Sequence, residues 1–149
     1  MPTALVIEDD VSSVNVLAHV LERRGYRVLT STEADEAARF CGDVKVDVVV
    51  CDLILRAPYS GADVACRLRE TCAEVPVLFV SGTPLEGWSA HDFANVEALL
   101  PGRVEFLMKP FTAEALGEAV ARLLASGWTE SGIRTTLDGA KRMRHQGVA

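Results

Sequence analysis

Short apolar runs alternate along the chain with longer segments that mix apolar and polar residues. Most of the runs are rich in Val, Ile or Phe and show no strict alternation of apolar and polar side chains. Such runs are typical of parallel β-strands that are covered on both faces of a sheet. We therefore expect five strands, at residues 4–7, 26–30, 46–51, 75–80 and 104–108.

The segments between these runs have the spacing of amphipathic helices. In the first segment, apolar residues recur at the i, i+3, i+4 and i+7 positions that share one helix face. They are Val11, Val14, Leu17, Ala18 and Leu21, and Gly25 supplies a stop. In the last segment, Thr112 is the expected N-cap and Glu114 lies in the first turn. The predicted helices cover residues 11–24, 33–41, 61–72, 90–100 and 113–125, the fourth having the weakest pattern.

The strand–helix order, repeated five times, predicts the fold class. Such a chain is α/β, with a doubly wound, five-stranded parallel sheet, helices on both faces and right-handed crossovers. Ligands of these sheets bind at the carboxyl ends of the strands. The side chains that follow each predicted strand are therefore the candidates for a functional site.

Acidic residues, a hydroxyl group and a lysine follow the predicted strands at that edge. They are Glu8, Asp9 and Asp10 after the first strand, Asp52 after the third, Ser81 after the fourth and Lys109 after the fifth. Clustered carboxylates repel one another unless one is protonated or a cation lies among them. Their oxygens suit Mg²⁺, which needs only one or two carboxylates together with water and phosphate oxygens. The central carboxylate, Asp52, is then a candidate nucleophile that forms an acyl phosphate.

Composition and charge exclude several other functions. The 149 residues, 49% of them hydrophobic, suffice for one domain with a full core and a small appendage. The first residues contain no basic n-region, and no apolar run approaches the roughly 20 residues of a membrane span, so we expect a cytoplasmic protein. A net charge of −6 argues against direct nucleic-acid binding. The four cysteines contain no CxxC pair, which favours small buried hydrophobic residues over a metal site.

The motifs at the strand ends resemble those of a known family. The acidic pair in VIEDD, the aspartate in VVVCDLIL, the hydroxyl in LFVSG and the lysine in FLMKPF are similar to those of response-regulator receiver domains of bacterial two-component signalling. The resemblance covers residues 3–126 and implies a flavodoxin-like fold with strand order 2-1-3-4-5. It also implies that a histidine kinase or a histidine phosphotransfer protein donates a phosphoryl group, and that the altered surface binds an output protein.

The resemblance implies a role for each motif residue. Asp52 would be the phospho-acceptor, and Ser81 and Lys109 would contact the phosphoryl oxygens. The ligands of the Mg²⁺ cofactor would be Glu8 through water, Asp9 directly, Asp52, and the backbone carbonyl of Ile54. The positions that flank the path of a hydrolytic water would be held by Ile54 and Thr83, neither of which is a base, so we expect slow self-dephosphorylation.

Other residues near the motifs have two interpretations. Ser81 and Phe106 fall at the switch positions of the family, although Phe106 is equally well explained by core packing. Asp10 is expected to cap the first helix and not to bind metal. Cys51, beside Asp52, is expected to pack in the core and not to act as a redox sensor. The Lys109–Pro110 bond is expected to be cis, as in the family.

Two other functions are compatible with an aspartate at a strand end. A haloacid-dehalogenase-like phosphohydrolase also uses one, but it requires a second aspartate two positions later, where this chain has Ile54. A pseudo-receiver would use the fold only as an interaction module, without phosphorylation. We expect a switch and not an enzyme that turns over an external substrate.

The chain departs from the family in three segments. The loop RAPYSG after the acceptor has Arg56 where the family usually has proline, and the segment 82–108, which contains Trp88, His91 and Phe93, is longer than usual. We place the receiver at residues 1–126 and a basic extension at 127–149, which we expect to be one short helix or disordered. The helix would use Ile133, Leu137, Ala140 and Met143 as its apolar face. The extension would serve as a docking segment or to form a homodimer of a single-domain regulator, or it would be the start of a further segment.

Overall fold

The computed structural model describes residues 1–55 and 59–146. These residues form one parallel sheet of five strands in the order β2-β1-β3-β4-β5, which confirms the predicted fold class and strand order. The strands are β1 (Thr3–Ile7), β2 (Arg27–Ser31), β3 (Val48–Asp52), β4 (Val77–Ser81) and β5 (Val104–Met108). The third and fourth strands begin two residues later than predicted and include Asp52 and Ser81 as their last residues.

Six α-helices connect or follow these strands in the described part of the chain. They are α1 (Val11–Arg23), α2 (Ala34–Asp43), α3 (Gly61–Thr71), α4 (Ala90–Leu99), α5 (Ala113–Leu124) and α6 (Glu130–Gln146). A short 3₁₀ turn, Leu85–Gly87, lies between β4 and α4. In residues 1–55 and 59–146, no helix has both the length and the apolar character needed to cross a membrane.

Alternate side chains of the strands enter two separate parts of the core, because successive residues of a strand point to opposite faces. Leu5, Ile7, Val49, Cys51, Val77 and Phe79 belong to a cluster that also contains buried residues of α2, α3, α4 and α6. Ala4, Val6, Val48, Val50, Leu78 and Val80 belong to a cluster completed by α1 and α5. The helices therefore cover both faces of the sheet, as the continuous apolar runs predict.

The helix ends follow local capping rules. Asp10, Ser60, Ser89 and Thr112 are N-caps whose side chains accept a hydrogen bond from a backbone N–H in the first turn. After α1, Gly25 has a φ of +93°, a left-handed conformation that glycine adopts without strain. The predicted face of α1 is wrong at Val11, which lies in the first turn beyond the core and is 71% exposed.

The cysteines differ from one another in burial. Cys41 and Cys51 are buried as expected, whereas Cys66 and Cys72 are only half-buried. The Cys51 thiol is fully buried and donates weak hydrogen bonds to the carbonyls of Asp52 and Gly61. Burial, reinforced by the negative charges of Asp52 and Glu8, raises the pKa of Cys51 well above its usual value. A thiol of this kind is unreactive, which favours the packing interpretation.

Candidate functional site

The carboxyl ends of the strands place the predicted site residues along one edge of the sheet, called here the carboxyl edge. Asp52 is the last residue of β3 and is only 7% exposed, and it is paired in register with Val80 of β4. Ser81, the next residue, ends β4 and is also buried. The parallel pairing therefore sets an aspartate and a hydroxyl side by side at the ends of adjacent strands.

A glycine at the start of α3 fixes the backbone around Asp52. A Cβ atom at Gly61 would lie 2.0 Å from the carbonyl oxygen of Asp52, so no larger residue fits without movement of the backbone. The Gly61 N–H donates a hydrogen bond of 2.7 Å to the Leu53 carbonyl. The first turn of α3 thus packs directly against the end of β3 and holds Asp52 in place.

An ion pair joins Asp52 to the end of β5. The Nζ atom of Lys109 lies 2.7 Å from Oδ2 of Asp52 and 3.4 Å from Oε2 of Glu8. The other carboxylate oxygen of Asp52, Oδ1, accepts a hydrogen bond of 3.0 Å from the Ile54 N–H. Burial acts to lower the pKa of Lys109, but the hydrogen bond and charge of Asp52, with the charge of Glu8, outweigh it and raise that pKa. Lys109 is therefore a charged ammonium group directed at the Asp52 carboxylate.

The backbone around Lys109 is held by its neighbours on the sheet. Its N–H donates a hydrogen bond of 2.8 Å to the Ser81 carbonyl, which extends the pairing of β4 with β5 by one residue. The Lys109–Pro110 peptide bond is cis, as expected. The Leu100–Pro101 bond is also cis, which the sequence analysis did not predict.

Glu8 is a second buried carboxyl group beside Asp52. It is 1% exposed, and its Oε1 atom accepts a hydrogen bond of 3.1 Å from the Asp10 N–H. Burial, the hydrogen bond with Asp52 and the repulsion of the Asp52 charge together raise the pKa of Glu8 to about 7. Two carboxyl groups thus share one lysine, and near neutral pH one of them retains a proton for part of the time.

The two aspartates that follow Glu8 have different positions. Asp10 is the N-cap of α1, where its Oδ2 atom accepts hydrogen bonds from the Ser13 N–H at 3.0 Å and the Ser13 hydroxyl at 2.7 Å. These bonds lower the pKa of Asp10, and they confirm the interpretation of this residue as a helix cap. Asp9 is half-buried at the end of β1, between Glu8 and the cap.

The Ser81 hydroxyl is engaged with its own loop. It donates a hydrogen bond of 3.0 Å to the Thr83 carbonyl and accepts one of 2.9 Å from the Thr83 N–H. The same Thr83 carbonyl accepts a hydrogen bond of 3.0 Å from Nε1 of Trp88. Ser81 therefore lies at the carboxyl edge, but its hydroxyl group belongs to a network that runs toward α4 and not toward Lys109.

Phe106 is part of an aromatic cluster on β5. Its ring stacks on Phe79 with centroids 6.2 Å apart and meets Trp88 edge-on at 5.4 Å. Trp88 also meets Phe79 edge-on at 5.8 Å and is 3% exposed. Packing accounts for the position of Phe106, and a switching role for it remains a prediction. The central place of Trp88 was missed, although the residue stood out in the lengthened segment.

A polar cluster at the starts of α3 and α4 was also missed. The carboxylate of Asp63 accepts a hydrogen bond of 2.8 Å from Asn95 and lies 2.7 Å from Nε2 of His91. Ser60, the N-cap of α3, donates a hydrogen bond of 2.6 Å to Asp92 on α4. These contacts clamp the two helices together, and the sequence gives no signal for them because the partners are about thirty residues apart.

The donors at the carboxyl edge fit a small, hard cation. Two buried carboxyl groups face one lysine, and burial, with the hydrogen bond and charge of Asp52, raises the pKa of Glu8. A second positive charge at this edge would favour the ionised form of both groups. Among residues 1–55 and 59–146, no three His, Cys, Asp or Glu side chains form a ready-made metal cage. Mg²⁺ does not require one, because it keeps several waters and uses one or two carboxylates together with phosphate oxygens. Glu8 and Asp52, which meet at Lys109, are two carboxyl groups of this kind.

The fold and the paired residues at its edge define the class of the protein. The chain belongs to the response regulator receiver domain family, whose family model matches residues 4–121. It is 30% identical over 120 residues to the alkaline phosphatase synthesis transcriptional regulatory protein PhoP of Bacillus subtilis. It is 32% identical over 126 residues to the two-component response regulator PprB of Pseudomonas aeruginosa. These alignments cover 80% and 81% of this chain but 47% and 43% of the relatives, so the chain spans about half of their length.

Solved receiver domains share the fold. The chemotaxis protein CheY4 of Vibrio cholerae has a TM-score of 0.71 at 23% identity, over 83% of this chain and 99% of that one. The receiver domain of the sensor histidine kinase PA1611 of Pseudomonas aeruginosa, which holds a magnesium ion in its active site cleft, has a TM-score of 0.67 at 23% identity, over 84% and 98%. A CheY-like receiver domain of Methanospirillum hungatei has a TM-score of 0.67 at 17% identity, over 96% and 98%.

Proposed function

We propose that the chain is a phospho-accepting receiver in which Asp52 takes a phosphoryl group from a histidine kinase or a histidine phosphotransfer protein. The observation that carries the proposal is the buried Asp52 at the end of β3, paired with Lys109 at 2.7 Å. Burial of a carboxylate is costly unless a charge or hydrogen bonds compensate it. A lysine held against this buried carboxylate is well explained by a reaction in which negative charge accumulates there.

The proposed reaction is a direct transfer between two side chains. A carboxylate oxygen of Asp52 attacks the phosphorus of the phosphohistidine, the new P–O bond forms as the P–N bond breaks, and the imidazole leaves with the electron pair. Lys109 then moves its contact from the carboxylate to a phosphoryl oxygen and neutralises charge there. Bound Mg²⁺ would supply further positive charge toward the phosphoryl oxygens. Glu8 and Asp9 would hold the ion together with Asp52, and the Ile54 carbonyl remains the proposed backbone ligand.

Labelling by a small phosphodonor tests this proposal. We expect acetyl phosphate with Mg²⁺ to add one phosphoryl group, seen by intact mass, and Asp52→Asn to abolish the addition. Asp43→Asn, on the exposed end of α2, is the matched control and should label as the wild type does. Labelling of the Asp52→Asn protein at the wild-type level would refute the assignment of the acceptor.

Labelling, together with an assay of phosphate release from a phosphate ester, separates the alternatives. A pseudo-receiver would not be labelled at all, whereas a phosphohydrolase would release phosphate from an ester continuously instead of stopping at one equivalent. The residue two positions after Asp52 argues against the hydrolase, because Ile54 is 63% exposed and carries no acid. In this proposal residues 1–126 form the receiver and residues 127–149 an extension, and the labelled receiver acts by binding an output protein.

A further inference from the structure

The extension helix α6 is part of the core and is not a loose appendage. Its residues Ile133, Leu137 and Ala140 are 4%, 2% and 6% exposed and belong to the same cluster as Phe79 and Trp88. The spacing of these residues places them on one face of the helix. The predicted face is wrong at Met143, which is 59% exposed, because Arg144 continues the buried face instead.

Two basic side chains fasten the C-terminal half of α6 to the α4 region. The guanidinium group of Arg144 donates a short hydrogen bond to the Trp88 carbonyl and lies 5.8 Å from the ring centroid of Phe93. Nζ of Lys141 lies 2.6 Å from Oε1 of Glu97 on α4. Basic groups of the extension thus face a receiver whose residues 1–126 carry a net charge of −8.

Trp88 connects these contacts with the carboxyl edge. Its carbonyl holds Arg144, while its Nε1 atom bonds the same Thr83 carbonyl to which the Ser81 hydroxyl donates. Thr83 and Trp88 are five positions apart in the chain, and the 3₁₀ turn between them lies against α6. A change at Ser81 therefore reaches α6 through one short loop.

We propose that α6 is a built-in regulatory segment, which docks on the loop of residues 83–88 (the Trp88 loop) while Asp52 is unmodified. The segment loosens when Asp52 carries a phosphoryl group. The inference rests on the proposed function. The family resemblance implies that Ser81 contacts a phosphoryl oxygen once Asp52 is modified. A serine hydroxyl has one proton to donate, so Ser81 then cannot also donate to the Thr83 carbonyl. Loss of the hydrogen bond from Ser81 to the Thr83 carbonyl shifts Trp88, because the same carbonyl accepts the hydrogen bond from Trp88 Nε1. The shift also moves the Trp88 carbonyl that holds Arg144.

The coupling works in both directions, because linkage between two equilibria is reciprocal. If modification of Asp52 loosens α6, then a variant with weaker α6 docking binds a phosphoryl analogue more tightly. Arg144→Ala removes the contacts with Trp88 and Phe93 at little cost to the apolar face. Arg142→Ala is the matched control, because it removes the same charge from an exposed position on the same helix.

Beryllofluoride with Mg²⁺ provides the test on the full chain. Its occupancy is measured by fluorine NMR, and the state of α6 by hydrogen exchange of peptides from residues 130–146. We expect bound beryllofluoride to speed exchange in α6, and Arg144→Ala to raise beryllofluoride affinity about fivefold or more. Arg142→Ala should leave the affinity unchanged.

The outcomes distinguish this inference from the proposed function. Failure of beryllofluoride to bind the wild type would refute the proposed function, and the regulatory role of α6 with it. Binding without faster exchange in α6, or equal affinities of the Arg144→Ala and Arg142→Ala proteins, would refute the regulatory role alone. Faster exchange together with the selective effect of Arg144→Ala would establish it.

Discussion

At the scale of single residues, Asp52 differs from the neighbouring carboxylates in how its charge is compensated. One oxygen of Asp52 pairs with Lys109, and the other accepts a hydrogen bond from the Ile54 N–H. Asp10 instead accepts hydrogen bonds from the N–H and the hydroxyl of Ser13. Glu8 is buried more deeply, and this burial raises its pKa to about 7, so Glu8 keeps its proton until near neutral pH. Position alone therefore divides three strand-end acids into a buried, ion-paired carboxylate, a helix cap and a carboxyl group whose pKa lies near neutral pH.

Mg²⁺ binding is expected to depend on Asp9 more than on Asp10. Asp10 is committed to capping α1, while Asp9 is half-buried and directly follows the buried Glu8 in the chain. Asp9→Ala should lower Mg²⁺ affinity by tenfold or more, about 1.4 kcal/mol. Asp10→Ala should leave the affinity nearly unchanged and cost about 1 kcal/mol of stability through loss of the cap. A Mg²⁺ titration followed by tryptophan fluorescence compares the two, and an equal loss of affinity would contradict the assignment.

The lifetime of the acyl phosphate is expected to depend on Ile54. This side chain is exposed, next to the acceptor, and offers no hydrogen bond to a water aligned with the phosphorus. Ile54→Asn should speed phosphate release about tenfold, which corresponds to about 1.4 kcal/mol of activation free energy. Ile54→Ala is the control, because it removes bulk without adding a hydrogen bond. If both variants release phosphate at the same rate, steric access and not water positioning sets the lifetime.

At the scale of elements, the packing of α3 against the end of β3 determines where Asp52 lies. The Gly61 position leaves no room for a methyl group beside the Asp52 carbonyl. The aromatic cluster of Phe79, Phe106 and Trp88 packs β4, β5 and the loop before α4 together. Neighbouring elements, and not the strand alone, thus determine the position of Asp52.

Substitution of Gly61 is expected to impair both stability and phosphorylation. Gly61→Ala forces α3 away from β3, so it should cost about 1–3 kcal/mol of unfolding free energy and slow labelling of Asp52. Gly42→Ala in α2 is the control, because its Cβ would meet only a Thr71 methyl group at 3.6 Å. This variant should be neutral or more stable by up to about 1 kcal/mol. Urea unfolding and labelling rates measure the two effects, and a harmless Gly61→Ala would contradict the packing argument.

At the scale of the whole molecule, the sequence predicts the features that depend on local pattern. Continuous Val and Ile runs specify the buried strands, and strand–helix alternation specifies the parallel sheet. The strand ends then bring Asp52, Ser81 and Lys109 to one edge. The direction of the Ser81 hydroxyl, the place of Trp88 and the docking of α6 could not be predicted, because they depend on contacts between distant segments. Val11 and Met143 show the same limit, since periodicity defines a face but not which turns reach the core.

The stability of the whole protein is expected to fall as pH rises when Mg²⁺ is absent. The pKa of Glu8 is about 7 in the folded protein against 4.5 for a free side chain, so the folded state binds the extra proton. Stability from this group is complete below pH 4.5 and is lost as pH rises through 7, by up to roughly 3 kcal/mol. Thermal unfolding between pH 5 and about 8 measures this slope.

A neutral replacement of Glu8 separates this effect from other titrations. Glu8→Gln keeps a hydrogen-bond donor toward Asp52 but carries no proton to lose, so it should flatten the slope and raise the unfolding temperature near pH 8. Glu118→Gln, on the exposed face of α5, should keep the wild-type slope. Mg²⁺ should stabilise the wild type most at high pH, where Glu8 is ionised, because a ligand stabilises the state that binds it. A wild-type slope in the Glu8→Gln protein would show that another group controls the pH dependence.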